Sequence, residues 1–183
     1  MKTLYLERSV SNGRNGGWVN ELELDGVERI VVGLGPGSFA GVRSALAFAQ
    51  GYQLGRRCEV LGLPSPCAIA GEYYAGAIRS SDLAVVGDAR RGMCWIALFR
   101  SFTLLGRVFQ VAADGLADVI GESFVVVSPD DARLRESLQR VFGERYLGLR
   151  LPTAEGLKLF AEANPSHLTP EPLPIYLNPA VRP

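Results

Sequence analysis

The chain has 183 residues, of which 48% are hydrophobic and 21% charged, and its mean hydropathy is +0.13. That composition excludes a disordered chain, which combines low hydrophobicity with a large net charge, and at roughly 100–200 residues per domain the length fits one domain or two small lobes. Lys+Arg and Asp+Glu each total 19, so the formal net charge is zero. No global basic field exists to hold nucleic acid, and little charge repulsion opposes pairing with a second copy or a partner.

In chain order, residues 3–6 read as a short strand. Residues 9–17 are dense in turn formers, with Asn12-Gly13 as a hairpin signal, and residues 18–24 alternate imperfectly as a returning strand. Residues 29–33 are a β-branched run bounded by glycine, as in a buried strand. A glycine-rich break at 33–41 then opens a helix over 39–54, with Ser38 as N-cap and Gly55 as C-cap. Its residues Gly41, Ala45, Ala47, Ala49 and Gly51 make it narrow enough for another backbone to approach. A strand at 58–63 leads through Pro64-Ser65-Pro66 into a second helix ending near 78. Ser80-Ser81-Asp82 marks the lobe boundary, which predicts an N-terminal lobe over 1–80 and a C-terminal lobe over 81–183. Beyond it come strands at 83–87, 94–99, 104–111 and 123–127, helices at 130–142 and 153–163, and a proline-rich extended ending.

Chemistry-bearing residues are few. The three cysteines, Cys58, Cys67 and Cys94, are odd in number and form no C-x-x-C pair, which fits a reducing cytoplasm. Residues 1–8 hold too little apolar sequence for a signal peptide, and no run approaches the ~20 apolar residues of a membrane span. A cytoplasmic protein without membrane contact is expected. His167 is the single histidine and stands in a proline-rich segment. It offers neither the converging ligands of a zinc site nor the partners of a Ser-His-Asp triad, so no metal site is expected. The glycine turn is the sharpest feature: it serves either as a packing turn or as an anion site at a helix N-terminus. It is neither G-x-G-x-x-G nor a Walker loop, because no lysine precedes Ser38. Arg43, one turn into the helix, is either a bidentate anion ligand or a solvated surface arginine.

Gly35-Pro36-Gly37-Ser38-Phe39-Ala40-Gly41-Val42-Arg43, followed by Ala49-Gln50-Gly51, resembles the G-P-G-S-F-T-G-[VL]-R…A-[QK]-G signature of the TsaB (YeaZ) family, with Ala40 in place of threonine. Asp88-Ala89-Arg90-Arg91-Gly92, with Trp95 in the next strand, is similar to that family's D-A-R-x-G-E-V-Y hairpin, with Met93 replacing glutamate. Pro174-Ile175-Tyr176-Leu177-Asn178 resembles its P-x-Y-L-R segment, and the first strand, which in the family usually ends I-D-T-S, here reads Leu6-Glu7-Arg8-Ser9. Only residues 10–28 separate that strand from the next, a shortened stretch that leaves out the family's first amphipathic helix.

The resemblance implies an α/β, actin-like (ribonuclease-H-like) two-lobed fold of the Hsp70 and sugar-kinase type. It implies a non-catalytic subunit that supports TsaD in threonylcarbamoyladenosine formation at position 37 of tRNA, with a TsaE-like ATPase completing the machinery. On that reading Gly35, Gly37 and Gly41 are structural, and a partner or homodimer face runs along Val42, Ala45, Leu46 and Ala49. Asp88, Arg90 and Gly92 shape the second-lobe hairpin. ATP and metal belong to the partner subunit, none is held tightly by this chain, and tRNA is met only through the complex. The alternatives are a divergent paralogue with another partner, or an actin-like ATP-binding enzyme such as a small-molecule kinase. The kinase would need an aspartate followed by glycine and a hydroxyl residue after the first strand, where Glu7-Arg8-Ser9 stands. Asp88 could serve such an enzyme as its acid or act as an Asx-type turn residue. Peptidase chemistry is not expected, since no H-E-x-x-H motif or nucleophile–base pair is present.

Overall fold

The computed structural model describes residues 1–10, 24–76 and 81–177. Two compact units emerge, Met1–Ala75 with Pro152–Ile175, and Gly76–Leu151 with Tyr176–Pro183. The expected boundary after residue 80 therefore needs correcting on its C-terminal side. The segment Pro152–Ile175 packs with the first unit, not the second.

The first unit is built on a parallel three-stranded sheet in the order β1 (Lys2–Leu6), β2 (Val27–Gly33), β3 (Glu59–Leu63). Parallel pairing of β1 and β2 requires a crossover rather than a tight hairpin. The strand expected at 18–24 lies outside the described residues except for Leu24, which is helical. The stretch expected to leave out the family's first helix likewise lies mostly outside them. Helix α1 (Phe39–Gly55) covers one face of the sheet, burying Val42, Ala45, Leu46 and Ala49 against Leu6, Ile30, Val32 and Val60. Ser38 caps it as expected, its hydroxyl accepting from Gly41 N–H. At the other end Gly55 is still helical and Arg56 is the C-cap, its N–H reaching Gln53 O.

Helices α2 (Pro66–Ala75) and α5 (Ala154–Ala163) explain why the C-terminal segment returns. A Cβ on Gly71 would run into the backbone carbonyl of Gly156, and one on Gly156 would strike that of Ala68. The two helices meet backbone to backbone, an approach closed to any larger side chain at those two positions. Thr153 adds a cap, accepting from Gly156 N–H and hydrogen-bonding Glu72. Past α5 the chain crosses the sheet edge, where Thr169 and Gly62 exchange backbone hydrogen bonds and Ile175 N–H donates to Leu34 O.

The second unit carries β4 (Asp82–Arg90), β5 (Met93–Arg100), β6 (Thr103–Leu104), β7 (Phe109–Ala112), β8 (Phe124–Ser128) and β9 (Tyr146–Leu149). The sheet order is β6-β5-β4-β8-β9, with β7 also on β5. The single strand expected at 104–111 is broken in two, with Gly106 left-handed at φ 71° between the halves. Strand β9 and the short helix α3 (Leu116–Val119) are additions to the expected elements. α3 and α4 (Asp131–Phe142) pack Leu116, Leu138 and Phe142 onto Ala84, Val86, Cys94, Ile96 and Val126.

Gly71→Val should lower the unfolding free energy by at least about 1–3 kcal/mol, the usual cost of overpacking, read as a drop in the urea midpoint.

Candidate functional site

The glycine turn lies where β2 and β3 each hand over to a helix. Gly35 sits at φ +81°, in the left-handed region that glycine enters freely. Its N–H donates to Ser65 Oγ at 2.9 Å, and its carbonyl accepts from Ser65 N–H at 2.8 Å. This two-bond clamp ties the β2–α1 turn to the β3–α2 turn. The Ser65 hydroxyl, one residue before α2, thus serves the neighbouring turn.

Above the clamp runs the chain's own loop of residues 7–9. A Cβ on Gly37 would overlap Ser9 O, and one on Gly41 would overlap Arg8 O. Ser38 N–H donates to Ser9 O at 2.5 Å. The turn is used for packing: two signature glycines seat backbone, and the Ser38 N–H is committed internally. Pro36 is buried within the turn, joined to Gly35 by a cis peptide.

The loop's acid is turned inward. Glu7 is 3% exposed; its Oε1 accepts from Ser9 N–H at 2.7 Å. Burial pushes its carboxyl above the usual range, opposed by the hydrogen bonds from Ser9. Sequence reasoning treats Glu7 only as a missing phosphate-loop aspartate. An acid ending a buried strand, two residues before a serine, is the signal that could have found it.

The expected partner face needs correcting. Val42, Ala45, Leu46 and Ala49 are all 4% exposed or less and form core beneath α1. The solvent side of the helix is Ala40, Arg43, Ser44, Ala47, Gln50, Gly51 and Leu54. Phe39 is 58% exposed, and the Arg43 guanidinium lies 4.8 Å from its ring centroid. Arg43 is thus a surface arginine with an aromatic neighbour.

In the second unit Asp88 is a turn organiser. Its N–H donates to Asp130 Oδ2 at 2.9 Å, and its Oδ1 accepts from Arg90 N–H at 2.8 Å. Its Oδ2 faces Arg133 at 3.1 Å and Arg90 at 3.4 Å. Arg90, Arg91 and Gly92 all have positive φ at the hairpin tip, and the Asx-type bond holds Arg90 there. Asp130 is raised above the usual carboxylate range by burial, which outweighs the lowering hydrogen bond from the Asp88 N–H. His167 packs edge-on to Phe160, with ring centroids 5.8 Å apart. Among the described residues no group of three or more His, Cys, Asp or Glu side chains converges, and no helix is long and apolar enough to cross a membrane.

Two units, each a sheet with helices packed on it, one carrying a glycine turn and the other an Asp-led hairpin, define a protein of the actin-like α/β kind. The family model described as TsaD, tRNA N6-adenosine threonylcarbamoyltransferase, matches residues 19–143, and the chain belongs to this family. It is 34% identical over 84 residues to the tRNA threonylcarbamoyladenosine biosynthesis protein TsaB of Buchnera aphidicola, covering 45% of this chain and 38% of that protein. It is 33% identical over 94 residues to an uncharacterized protein of Mycobacterium tuberculosis, covering 51% and 42%. The match thus spans about two fifths of these relatives. Among solved structures, a Pseudomonas aeruginosa protein described as similar to peptidase YEAZ superposes with a TM-score of 0.66 at 22% identity, covering 83% of this chain and 74% of that one. YeaZ from Pseudomonas aeruginosa superposes at 0.64 with 20% identity, over 82% and 74%. These likenesses show the fold.

Two glycines of α1 give opposite expectations. Gly41→Ala should destabilise by about 1–3 kcal/mol, because its Cβ meets the Arg8 carbonyl. Gly51→Ala, with nothing within 4 Å, should stabilise by about 0.5–1 kcal/mol through helix propensity. Thermal or urea unfolding of the pair checks both signs.

Proposed function

We propose that this chain is a TsaB-type, non-catalytic partner subunit that supports a TsaD-like subunit in forming threonylcarbamoyladenosine at position 37 of tRNA, in the cytoplasm. The observation that carries this reading is the use made of the glycine signature. Its glycines seat the chain's own 7–9 loop, so the turn builds a rigid start for α1 instead of a phosphate cradle. The outer face of α1 then offers Ala40, Ser44, Ala47 and Gly51 at helical spacing. Small side chains there let a partner backbone approach closely, and the zero net charge opposes no contact. A TsaD-like subunit or a second copy of this chain would dock on that face. ATP, metal and contact with tRNA are assigned to the partner subunit and the TsaE-like ATPase.

The kinase-like reading lacks the same support. Glu7 is buried instead of facing a ligand, and both oxygens of Asp88 are engaged by Arg90 and Arg133.

Reconstitution with a TsaD-like subunit, a TsaE-like ATPase and tRNA tests the proposal: omission of this chain should abolish threonylcarbamoyladenosine, and its addition should restore it. Restoration by the other components alone would overturn it. Ala47→Arg should abolish that restoration while changing stability by no more than about 0.5 kcal/mol, as for surface substitutions. Ala49→Arg should instead cost several kcal/mol, since it buries an unpaired charge in the core. Calorimetry of the isolated chain with ATP and magnesium should show no binding tighter than about 1 mM.

A further inference from the structure

Among the described residues, Glu7 Oε2 is the one buried side-chain oxygen without a hydrogen-bond partner. A Cβ on Gly33 would collide with the Glu7 carboxylate and come within 2.9 Å of Ser65 Oγ, so the carboxyl fills the space that Gly33 leaves beside that hydroxyl. Burial is the dominant influence on this carboxyl, and the groups that oppose it are hydrogen-bond donors on Ser9, Ser65 and the Arg8 backbone, not a cationic side chain. From β2 it meets Gly33, and from α2 the titratable neighbour is the Cys67 thiol. That thiol is itself pushed well above its usual range, by burial first and by Glu7 second.

An ionised carboxylate here would be a buried charge with no cationic side chain facing it, an arrangement proteins avoid by protonation. We propose that Glu7 is a proton-dependent positioning residue: it carries its carboxyl as the neutral acid, whose O–H at Oε2 points to the Ser65 side and pins the 7–9 loop onto the glycine turn. Its Oε1 still takes Ser9 N–H, and Ser9 O in turn takes Ser38 N–H at the start of α1. Loss of the proton pulls the loop toward water and loosens the first turn of α1. The functional consequence rests on the proposed partner face; the proton switch itself does not.

A carboxyl raised in the folded state contributes stability that is fully present below the ordinary glutamate range, near pH 4.3. That contribution is lost as pH rises through the folded value. Between the two, the folding constant falls about tenfold per pH unit for the one proton. Carbon-13 NMR of the glutamate carboxyls in the wild-type chain should show Glu7 titrating above the other glutamates. Urea unfolding of Glu7→Gln from pH 5 to 9 should lack the tenfold-per-unit fall and leave the variant more stable than wild type at the high end. Glu7 titrating in the ordinary range would overturn the proposal, whether or not the variant folds. So would a Glu7→Gln chain that keeps the wild-type pH slope or is equally destabilised at every pH. Failed reconstitution with a TsaD-like subunit would overturn the partner reading and leave this titration unaffected.

Discussion

The first unit depends on one close approach, the passage of the residue 7–9 backbone over Gly37 and Gly41. Chain segments can touch at backbone distance only where neither carries a side chain between them. Here the touching segments are the end of β1 and the start of α1. Once the loop is seated, Ser38 N–H has a partner in Ser9 O, β1 is tied to α1 beyond the sheet's own hydrogen bonds, and the clamp between Gly35 and Ser65 sets α2 beside it. A glycine signature at a strand-to-helix turn is commonly read as a place for phosphate. In this chain the Gly35 and Ser38 N–H donors and the space beside Gly37 and Gly41 are taken up internally.

Helix α1 shows how ambiguous small residues are. Ala45 and Ala49 are core, while Ala40, Ala47 and Gly51 face solvent. Alanine is compatible with both environments, because it buries little apolar area and carries no polar group to satisfy. Phe39, the largest apolar residue in the first turn, lies outside with Arg43 over its ring. A pattern of small residues therefore establishes that α1 permits close approach without establishing on which side.

The second unit is organised by charge where the first is organised by glycine. Asp88 holds Arg90 at positive φ through its Oδ1, faces Arg133 through its Oδ2, and donates its own N–H to Asp130. Trp95 lies across the sheet from Gly87, its indole filling the space that a Gly87 side chain would need. The acid of the D-A-R-x-G hairpin is thus already paired, by Arg90 within the turn and by Arg133 of α4.

Much of this architecture is legible in the amino-acid sequence. The strands around 30 and 60, helices α1, α2, α4 and α5, the Ser38 cap and the family signature all follow from local periodicity, capping chemistry and glycine placement, which act over a few residues. Strand β9 is not legible: Tyr146–Leu149 is four residues long, interrupted by Gly148, and is a strand because β8 pairs with it. The return of Pro152–Ile175 to the first unit is hidden too, because Gly71 and Gly156 are far apart in sequence and their meeting leaves no local trace. The inward turn of Glu7 and the buried face of α1 belong to the same class. The sequence by itself determined which segments are helix, which are strand and which turn requires glycine; only the tertiary structure decided what fills the space those glycines leave, since a missing side chain specifies a vacancy and the rest of the fold supplies its occupant.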